Sequence, residues 1–512
     1  MDETSKPTGR VGIALETTVF ICGAVVMIYE INGSRILAPF IGTSTYIWTS
    51  LIGVILASLS LGYWYGGKLA DRSPKVSVLA SVIFIAGALV SVTILAKEVV
   101  LGSVAAMNTG LEVKAVLSSL FLFAPASVAL GFVLPYAAKL RISSLSDSGK
   151  TVGRLYALST IGSIAGTFVA GFLLIPFVGS TRTLYLLAIS LFVTSVFLAP
   201  FSFNRVNIAA ITLFLTGVAF NETVALLQFR FNSFQAIDTG YAHLSLFETI
   251  DSRTGKPILA LTNDPYFTQS AMFLDSDELV FDYNRFFHLV RYFNPGFKHS
   301  LMIGGAAYSF PRDYLNAYPD ATIDVVEIDP KMTQIAREHF RLRDDPRLKI
   351  FHEDARVFLN RASEGQYDAI MMDAFGTLFS IPYHLTTLEA ARHLRRILKD
   401  DGVLMMNAGV ALSGPASRFL QAEINTLKQV FDDVRVFKVK SEYGDEELQN
   451  VMIVARKSAA PLEAAAETQL AEMLSHEYVM PSSVATPLTD ELAPVEYYNS
   501  FGLNTHARTR AQ

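Results

Sequence analysis

The first 230 residues consist of long apolar stretches separated by short polar loops. A helix needs ~20 mostly apolar residues to cross the hydrocarbon core of a bilayer. Seven stretches reach that length, at residues 13–32, 47–66, 77–96, 115–138, 154–177, 182–200 and 205–227. A further stretch, 98–111, is shorter and more polar. The pattern predicts an N-terminal α-helical, multi-pass membrane domain over residues 1–230, with about seven spans.

After residue 231 the apolar runs become short and are bounded by turn residues. Residues 241–249 and 257–262 predict a β-hairpin that turns at Ser252–Gly255, within a small β-strand region over 231–285. Further strands are predicted at 300–303, 322–329, 348–351, 367–372 and 403–407, with helices over 330–340 and 386–398. Alternation of strands and helices predicts a parallel, doubly wound α/β sheet of the Rossmann-like type over residues 286–512.

Charge follows the same division. Residues 1–230 hold 15 Lys and Arg with 9 Asp and Glu, whereas the remainder holds 27 and 38 and all nine histidines. The single cysteine, Cys22, excludes an internal disulfide framework and a thiolate metal site. A pI near 6.0 and the lack of a Lys/Arg-rich run argue against nucleic-acid binding. The expected partners are therefore a lipid bilayer and a small molecule, without a metal.

Small residues in one apolar stretch predict close helix packing. Gly162 and Gly166 form a G-x-x-x-G pattern, flanked by Ser159 and Ser163. Such spacing lets two helix backbones approach each other within a membrane.

Candidate binding residues stand where the predicted strands of the second half end. Gly304-Gly305 follows the first strand, Glu327 the second, Asp354 the third and Asp373 the fourth. In doubly wound sheets the ligand lies at these carboxyl ends. The glycines allow close approach of the backbone, an acid about 20 residues on can accept bonds from ribose hydroxyls, and the next acid can receive an adenine amino group.

These features predict an adenosine-containing ligand. The loop Gly304–Ser309 has no third glycine for a G-x-G-x-x-G phosphate pattern, and there is no Walker A lysine. We therefore predict a class I S-adenosylmethionine-binding domain rather than a domain for NAD or ATP.

Residues 241–407 resemble the polyamine aminopropyltransferases, the spermidine synthase family. The resemblance rests on Gln269-Ser270, Tyr283, Met302–Gly305, Val326–Asp329, Asp344–Arg347, Asp354, Tyr367-Asp368 and Asp373. The whole chain resembles the membrane-fused spermidine synthase-like proteins. The second half does so through Gly304-Gly305, Tyr308–Arg312, Asp373–Phe375, Ile381–Thr387 and Leu488–Glu496, and the first half through Glu30, Arg35, Ala38-Pro39, Trp48 and Gly66–Arg72.

The resemblance implies a role for each candidate residue. Asp373 would orient and deprotonate an acceptor amine, and Tyr283 and Gln269 would line the catalytic site near the alkyl chain being transferred. Glu327 would hold the ribose, while Asp354 and Ala355 would face the adenine. The remaining residues of the implied nucleoside site are Gln269, Gly304, Gly305 and Asp329. The implied substrate is S-adenosylmethionine or its decarboxylated form, and the family's hairpin region implies a homodimer.

Three departures from the family pattern leave the substrates open. The acid of the family's Gly-Gly-Gly-Asp-Gly loop is replaced by Ala307, Tyr283-Asn284-Arg285 carries a base in place of an acid, and Asp373 is followed by Ala374-Phe375-Gly376. Loss of acids weakens the case for a polyamine acceptor. Arg285 or Arg312 would suit the carboxylate of intact S-adenosylmethionine.

We therefore predict a membrane-bound transferase that moves an aminopropyl-type group and releases methylthioadenosine. Two alternatives stay open: an S-adenosylmethionine lyase that needs no acceptor, and a transporter or sensor gated by a nucleoside.

The predicted number of spans conflicts with a cytoplasmic catalytic domain. Positive charges concentrate in alternate loops, which predicts a cytoplasmic N-terminus in an inner or plasma membrane. Those charges are Lys68, Arg72, Lys75, Lys139, Arg141, Lys150 and Arg154. Seven crossings would then export the C-terminal half, although sulfonium nucleosides are cytoplasmic. The predicted cytoplasmic catalytic domain requires that 205–227 does not cross, or that 98–111 adds a crossing.

Overall fold

The computed structural model describes residues 9–42, 44–142, 148–200, 204–263, 268–374, 381–463, 465, 467–481 and 485–501. The chain divides into two compact units, Met1–Leu244 and Ser245–Gln512.

The first unit is built almost entirely of helices. In chain order they are α1 (Gly9–Ile41), α2 (Thr45–Arg72), α3 (Val76–Ala105), α4 (Leu111–Leu122), α5 (Ala124–Gly131), α6 (Val133–Arg141), α7 (Ser148–Val169), a π-helical turn (Ala170–Leu174), α8 (Ile175–Val178), α9 (Ser180–Leu198) and α10 (Arg205–Asn232). Strand β1 (Gln235–Asp238) follows α10.

Within the described residues, six helices are long and apolar enough to cross a membrane, or seven if the bent pair of Leu111–Leu122 and Ala124–Arg141 counts as one span. The two parts of that pair meet at 52°, where Pro125 follows the break and cannot donate a backbone hydrogen bond. The suggestion of a separate crossing at 98–111 is wrong. Residues 98–105 continue α3, and the chain then turns before α4 begins.

The bent pair runs from one end of the helical unit to the other. Near its start, Lys114 Nζ donates to the carbonyl of Ala105 at the end of α3 (2.8 Å). Near its finish, Lys139 lies 2.7 Å from Asp71 at the end of α2. The α3 end also carries Lys97, whose Nζ donates to Thr181 Oγ1 (2.7 Å).

Strand β1 joins the same end of the helical unit as Lys97 and Thr181. The carboxylate of Asp238 accepts hydrogen bonds from the backbone N–H and the hydroxyl of Ser180, each at 2.7 Å. The chain thus leaves the helical unit opposite the end that holds Asp71 and Lys139.

The predicted close packing around Gly162 is confirmed. A Cβ atom at Gly162 would lie 2.1 Å from the carbonyl oxygen of Phe20, and one at Gly166 would lie 2.4 Å from that of Ala24. Only a residue without a side chain fits where α7 crosses α1 at this distance.

The second unit is an α/β domain. Its strands are β2 (His243–Ile250, which begins at the boundary), β3 (Pro257–Thr262), β4 (Ser270–Phe273), β5 (His299–Ile303), β6 (Thr322–Val326), β7 (Leu348–Phe351), β8 (Tyr367–Met372), β9 (Leu398–Val410), β10 (Asp433–Lys438) and β11 (Gln449–Arg456). Its helices are α11 (Asp282–Phe286), α12 (Val290–Phe293), α13 (Ser309–Ala317), α14 (Pro330–His339), α15 (Ala355–Arg361), α16 (Leu388–Ile397), α17 (Arg418–Lys428) and α18 (Thr468–Ser475). Short 3₁₀ turns lie at Phe287–Leu289, Tyr383–Leu385 and Pro415–Ser417.

The predicted hairpin is confirmed. β2 and β3 pair antiparallel from Ser245↔Thr262 to Ile250↔Pro257, and the turn closes with a bond from Gly255 N to Asp251 O (2.8 Å). β4 extends this sheet by pairing with β3. The sequence did not predict β4, because four consecutive buried residues show no alternation.

The main sheet has seven strands in the order β10-β11-β9-β8-β5-β6-β7. Its five predicted strands are present and parallel. The expectation of a wholly parallel sheet is wrong, because β11 runs antiparallel to β9 and β10 antiparallel to β11. A loop rather than a helix joins β10 to β11, and a short loop can connect antiparallel strands only.

The strand order sets the position of the site. β5 lies between β6 and β8, and the chain leaves this centre in opposite directions on its two sides. The crevice at the carboxyl end of β5 is therefore the switch point where such sheets bind ligands. The residues before it are closely packed: Leu301, Met302 and Ile303 are at most 2% exposed.

Candidate active site

The glycine loop begins with a close approach between two backbones. Gly304, directly after β5, has a φ of +90°, and a Cβ atom there would lie 2.4 Å from the carbonyl oxygen of Asp373. The N–H of Asp373 donates to Ile303 O (2.9 Å). The ends of β5 and β8 are thereby held together, which fixes Asp373 beside the loop.

Two residues later in the loop adopt left-handed backbone conformations although they are not glycines. Ala306 and Tyr308 have φ values of +44° and +57°, in the left-handed region, and the Tyr308 N–H donates to Gly305 O (2.7 Å). In the family pattern both positions are glycine. Holding side chains there costs of order 1–2 kcal/mol each, so the surroundings of the loop stabilise its conformation.

Glu327 follows β6 and is bound by the loop. Its Oε2 accepts from the N–H groups of Gly305 (2.8 Å) and Ala306 (3.0 Å), and its Oε1 from that of Asp329 (2.9 Å). Burial raises the pKa of the Glu327 carboxyl, and the three backbone donors oppose that rise. A carboxylate oxygen has more than one acceptor site, so both oxygens can still accept hydroxyl groups.

Asp329 caps α14 instead of facing outward. Its Oδ1 accepts from Lys331 N (2.9 Å). Its Oδ2 is buried and has no hydrogen-bond partner among the described residues.

Asp354 also caps a helix, and Ala355 is the first residue of that helix, α15. Asp354 Oδ1 accepts from Arg356 N (2.8 Å) and Val357 N (3.2 Å), while Oδ2 lies 3.3 Å from His384 Nε2. One third of the Asp354 side chain remains exposed. The structure therefore brings His384 to the end of β7.

Asp373 is held by two donors. Asn407 Nδ2 donates to its Oδ1 (2.9 Å), and the Tyr283 hydroxyl donates a second hydrogen bond to the carboxylate. Burial raises the pKa of Asp373, and these two hydrogen bonds oppose the rise. Burial and the adjacent Asp373 carboxylate raise the pKa of Tyr283, so its hydroxyl stays protonated and remains a donor.

Asn407 is a site residue that the sequence analysis missed. It lies on β9, is 6% exposed, and its Oδ1 is buried without a partner among the described residues. The available signal was a polar residue within the apolar run 403–410, at the carboxyl end of its parallel strand.

The hairpin region contributes to the loop through Ser270. Ser270 Oγ accepts from the N–H of Ala307 (3.3 Å), while Ala307 itself is 0% exposed. Gln269 bonds through its backbone to Leu261 O (2.9 Å), and its side-chain Oε1 is buried without a partner among the described residues.

The two arginines suggested for a substrate carboxylate contact the segment before α11. Arg285 donates to Leu279 O (3.1 Å), and Arg312 lies 3.8 Å from Asp277. Phe375 and Gly376 lie outside the described residues. Across the part of the chain that is described, no group of three or more His, Cys, Asp or Glu side chains is placed to hold a metal ion.

Comparison with known proteins gives a family for this site. Residues 281–445 match the family described as "Spermine/spermidine synthase domain". The chain is 32% identical over 185 residues to the polyamine aminopropyltransferase of Vibrio vulnificus, covering 36% of this chain and 58% of that protein. It is 24% identical over 423 residues to polyamine aminopropyltransferase 2 of Aquifex aeolicus, covering 78% of this chain and 80% of that protein. This second alignment is longer than either unit, so it includes residues of both.

Solved structures are also similar. A probable spermidine synthase from Corynebacterium glutamicum matches with 20% identity and a TM-score of 0.39, over 52% of this chain and 91% of that one. The predicted resemblance is thus confirmed: residues 281–445 match the spermine/spermidine synthase domain, and the chain is similar to proteins named polyamine aminopropyltransferase.

Proposed function

We propose that the chain is a membrane-bound transferase that moves an aminopropyl-type group from decarboxylated or intact S-adenosylmethionine to an amine. The observation that carries the proposal is the partly buried Asp373 carboxylate, which accepts bonds from Tyr283 and Asn407 and adjoins the glycine loop through Gly304. A carboxyl group whose pKa is raised is a better proton acceptor at neutral pH than an exposed one.

In the proposed reaction Asp373 accepts a proton from the acceptor amine. The freed nitrogen lone pair attacks the carbon next to the sulfonium, the C–N bond forms, and the C–S bond breaks. The bonding electrons pass to sulfur, and methylthioadenosine leaves as a neutral thioether. Most of the rate would come from holding the two partners in line.

The donor would lie along the carboxyl ends of β5, β6 and β7. The Glu327 oxygens would accept the ribose hydroxyls, and the partly exposed Asp354 with Ala355 would face the adenine. Gln269 would line the space for the transferred alkyl chain, and its buried Oε1, which has no partner among the described residues, offers an acceptor there. Asp329 would support the ribose site by capping α14.

Ala307 favours a second reaction at the same site. The fully buried Ala307 offers no acid to a donor ammonium. Intact S-adenosylmethionine could then react with itself: its carboxylate attacks the carbon next to sulfur, and a lactone and methylthioadenosine leave. No acceptor is needed for this lyase reaction.

The test incubates the full-length protein in detergent with intact or decarboxylated S-adenosylmethionine, each with and without putrescine, and follows methylthioadenosine by chromatography. Release that needs both the decarboxylated donor and the amine supports the transferase. Release from the intact donor alone supports the lyase. Binding without release in any tube overturns both and leaves a sensor or transporter.

The location and assembly belong to the same proposal. Supply of the donor favours a cytoplasmic second unit in an inner or plasma membrane. Lys and Arg are concentrated at the end of the helical unit opposite the point where the chain leaves it. By the positive-inside rule, this distribution favours a second unit on the side of the membrane away from the cytoplasm. A periplasmic phosphatase fused after residue 512 decides between them, because activity of the fused enzyme would exclude the cytoplasm. A homodimer is proposed from the family alone, and the mass of the detergent-solubilised protein tests it.

A further inference from the structure

Tyr308 occupies a position that glycine would fill more easily. It is 0% exposed and left-handed, with a φ of +57°. Its ring folds back on the loop, so that a Cβ atom at Gly305 would lie 2.8 Å from Tyr308 Cζ. A buried aromatic residue in a strained backbone persists only if its side chain makes compensating contacts.

Those contacts connect the loop to two other elements. The Tyr308 hydroxyl lies 2.7 Å from Thr333 Oγ1 on α14, and Thr333 Oγ1 lies 2.9 Å from His352 Nε2, just after β7. The loop is thereby tied at its far end to the helix that Asp329 caps and to the strand end that precedes Asp354. At its near end, Gly304 lies against Asp373.

Between these two ties lie the donors that bind Glu327. The N–H groups of Gly305 and Ala306 both point at Glu327 Oε2. Because Tyr308 N donates to Gly305 O, rotation of Tyr308 would move the peptide group that carries the Ala306 N–H donor. The direction of the Glu327 carboxylate therefore depends on where the Tyr308 side chain is anchored.

We propose that Tyr308 is a positioning residue, whose hydroxyl, anchored on Thr333, fixes the glycine loop and thereby sets Glu327 to grip the nucleoside. This inference rests on the proposed nucleoside site. The buried hydroxyl pair would thereby order a loop that lacks the acid and two of the four glycines of the family pattern.

The test measures the dissociation constant of methylthioadenosine by calorimetry on the full-length protein in detergent. Tyr308→Phe keeps the ring and removes the hydroxyl. Tyr314→Phe is the matched control, because Tyr314 is also 0% exposed on α13 and its hydroxyl donates to Ser300 Oγ (2.9 Å) and Thr322 O (3.2 Å), away from the loop. We expect Tyr308→Phe to weaken binding about five- to tenfold, as loss of one ordinary hydrogen bond does, and Tyr314→Phe to bind as the wild type does.

A second pair of variants changes Thr333, the partner of the Tyr308 hydroxyl. Thr333→Val removes the anchoring hydroxyl and Thr333→Ser retains it. Thr333→Val should therefore weaken methylthioadenosine binding as much as Tyr308→Phe does, and Thr333→Ser should bind as the wild type does. Should Tyr308→Phe fail to fold, this pair carries the test. In turnover, the loss should raise KM for the donor more than it lowers kcat.

The outcomes separate this inference from the proposed function. If the wild type does not bind methylthioadenosine, the proposed function fails. If the wild type binds it but Tyr308→Phe and Tyr314→Phe bind alike, or Thr333→Ser is as weak as Thr333→Val, the positioning role is overturned.

Discussion

The hydroxyl of Tyr283 donates a hydrogen bond to the carboxylate of Asp373, across the carboxyl end of β8. Tyr283 is 9% exposed on α11, ninety residues earlier in the chain. A hydrogen bond to the charged form of an acid lowers its pKa. Tyr283 therefore opposes the rise in the pKa of Asp373 that burial causes.

Tyr283→Phe should shift the pH dependence of turnover. Without the hydroxyl the pKa of Asp373 rises further, so the acid limb of kcat/KM should move to higher pH. The rate at neutral pH should fall about tenfold, the size expected for a lost bond to a charged group. The pH–rate profile checks this. Phe281→Leu, which removes the ring that stacks on Tyr283, is the control, and an equal shift in both variants would contradict the role of the hydroxyl.

Asp373→Asn should abolish turnover and stabilise the fold. General-base catalysis contributes at least ~100-fold. The folded-state pKa of Asp373 is raised, so stability is greatest below the ordinary aspartate pKa of about 3.9 and is lost as the pH rises through the folded-state value. Asn does not titrate. The Tm of the variant should exceed that of the wild type at neutral pH, and the difference should shrink in acid. A difference that does not depend on pH would contradict this account.

Gly304→Ala should destabilise the fold far more than a positive φ alone explains. The new methyl group would lie 2.4 Å from Asp373 O, in addition to the φ of +90°. Gly365→Ala is the matched control, since Gly365 has a φ of +61° but nothing within 4 Å of its Cβ position. We expect the free energy of unfolding to fall by about 1 kcal/mol in Gly365→Ala and by more than ~3 kcal/mol in Gly304→Ala. Denaturant titration measures both, and equal losses would show that the loop moves away from Asp373.

Asp354 caps α15 and is proposed to bind the nucleoside, and two variants separate these roles. Asp354→Ala removes the cap of α15 and should cost about 1 kcal/mol of stability. Asp354→Asn keeps a capping oxygen and loses the charge, so stability should be retained while methylthioadenosine binding weakens. Calorimetry and Tm together check this. If Asn also binds as tightly as Asp, the residue serves the helix only.

Gly162→Ala should destabilise the helical unit. The methyl group would overlap the Phe20 carbonyl at 2.1 Å, whereas Gly153 on the same helix has open space at its Cβ position. Gly153→Ala should be neutral or slightly stabilising, because alanine favours helix over glycine. Thermal unfolding in detergent measures both variants, and a neutral Gly162→Ala would show that α1 and α7 separate easily.

Much of this protein was determined by the sequence alone. The length of the apolar stretches predicted the helices of the first half, since crossing a bilayer fixes a minimum length. Short apolar runs bounded by turn residues predicted the β2–β3 hairpin, and strand–helix succession predicted the five parallel strands. Polar residues directly after those strands, such as Glu327 and Asp373, marked the carboxyl edge of the sheet, because chain direction and parallel pairing bring those ends together.

The tertiary structure decided what depends on partners distant in sequence. Strand β11 pairs antiparallel with both β9 and β10, so it runs against the other strands of the main sheet, and only this pairing reveals its direction. Asn407 becomes a donor to Asp373 because β8 and β9 are neighbours. The tie from Tyr308 to Thr333 and His352 joins a loop, a helix and a strand end. No local pattern encodes such contacts, because they arise from packing between segments and not from the preferences of any one segment.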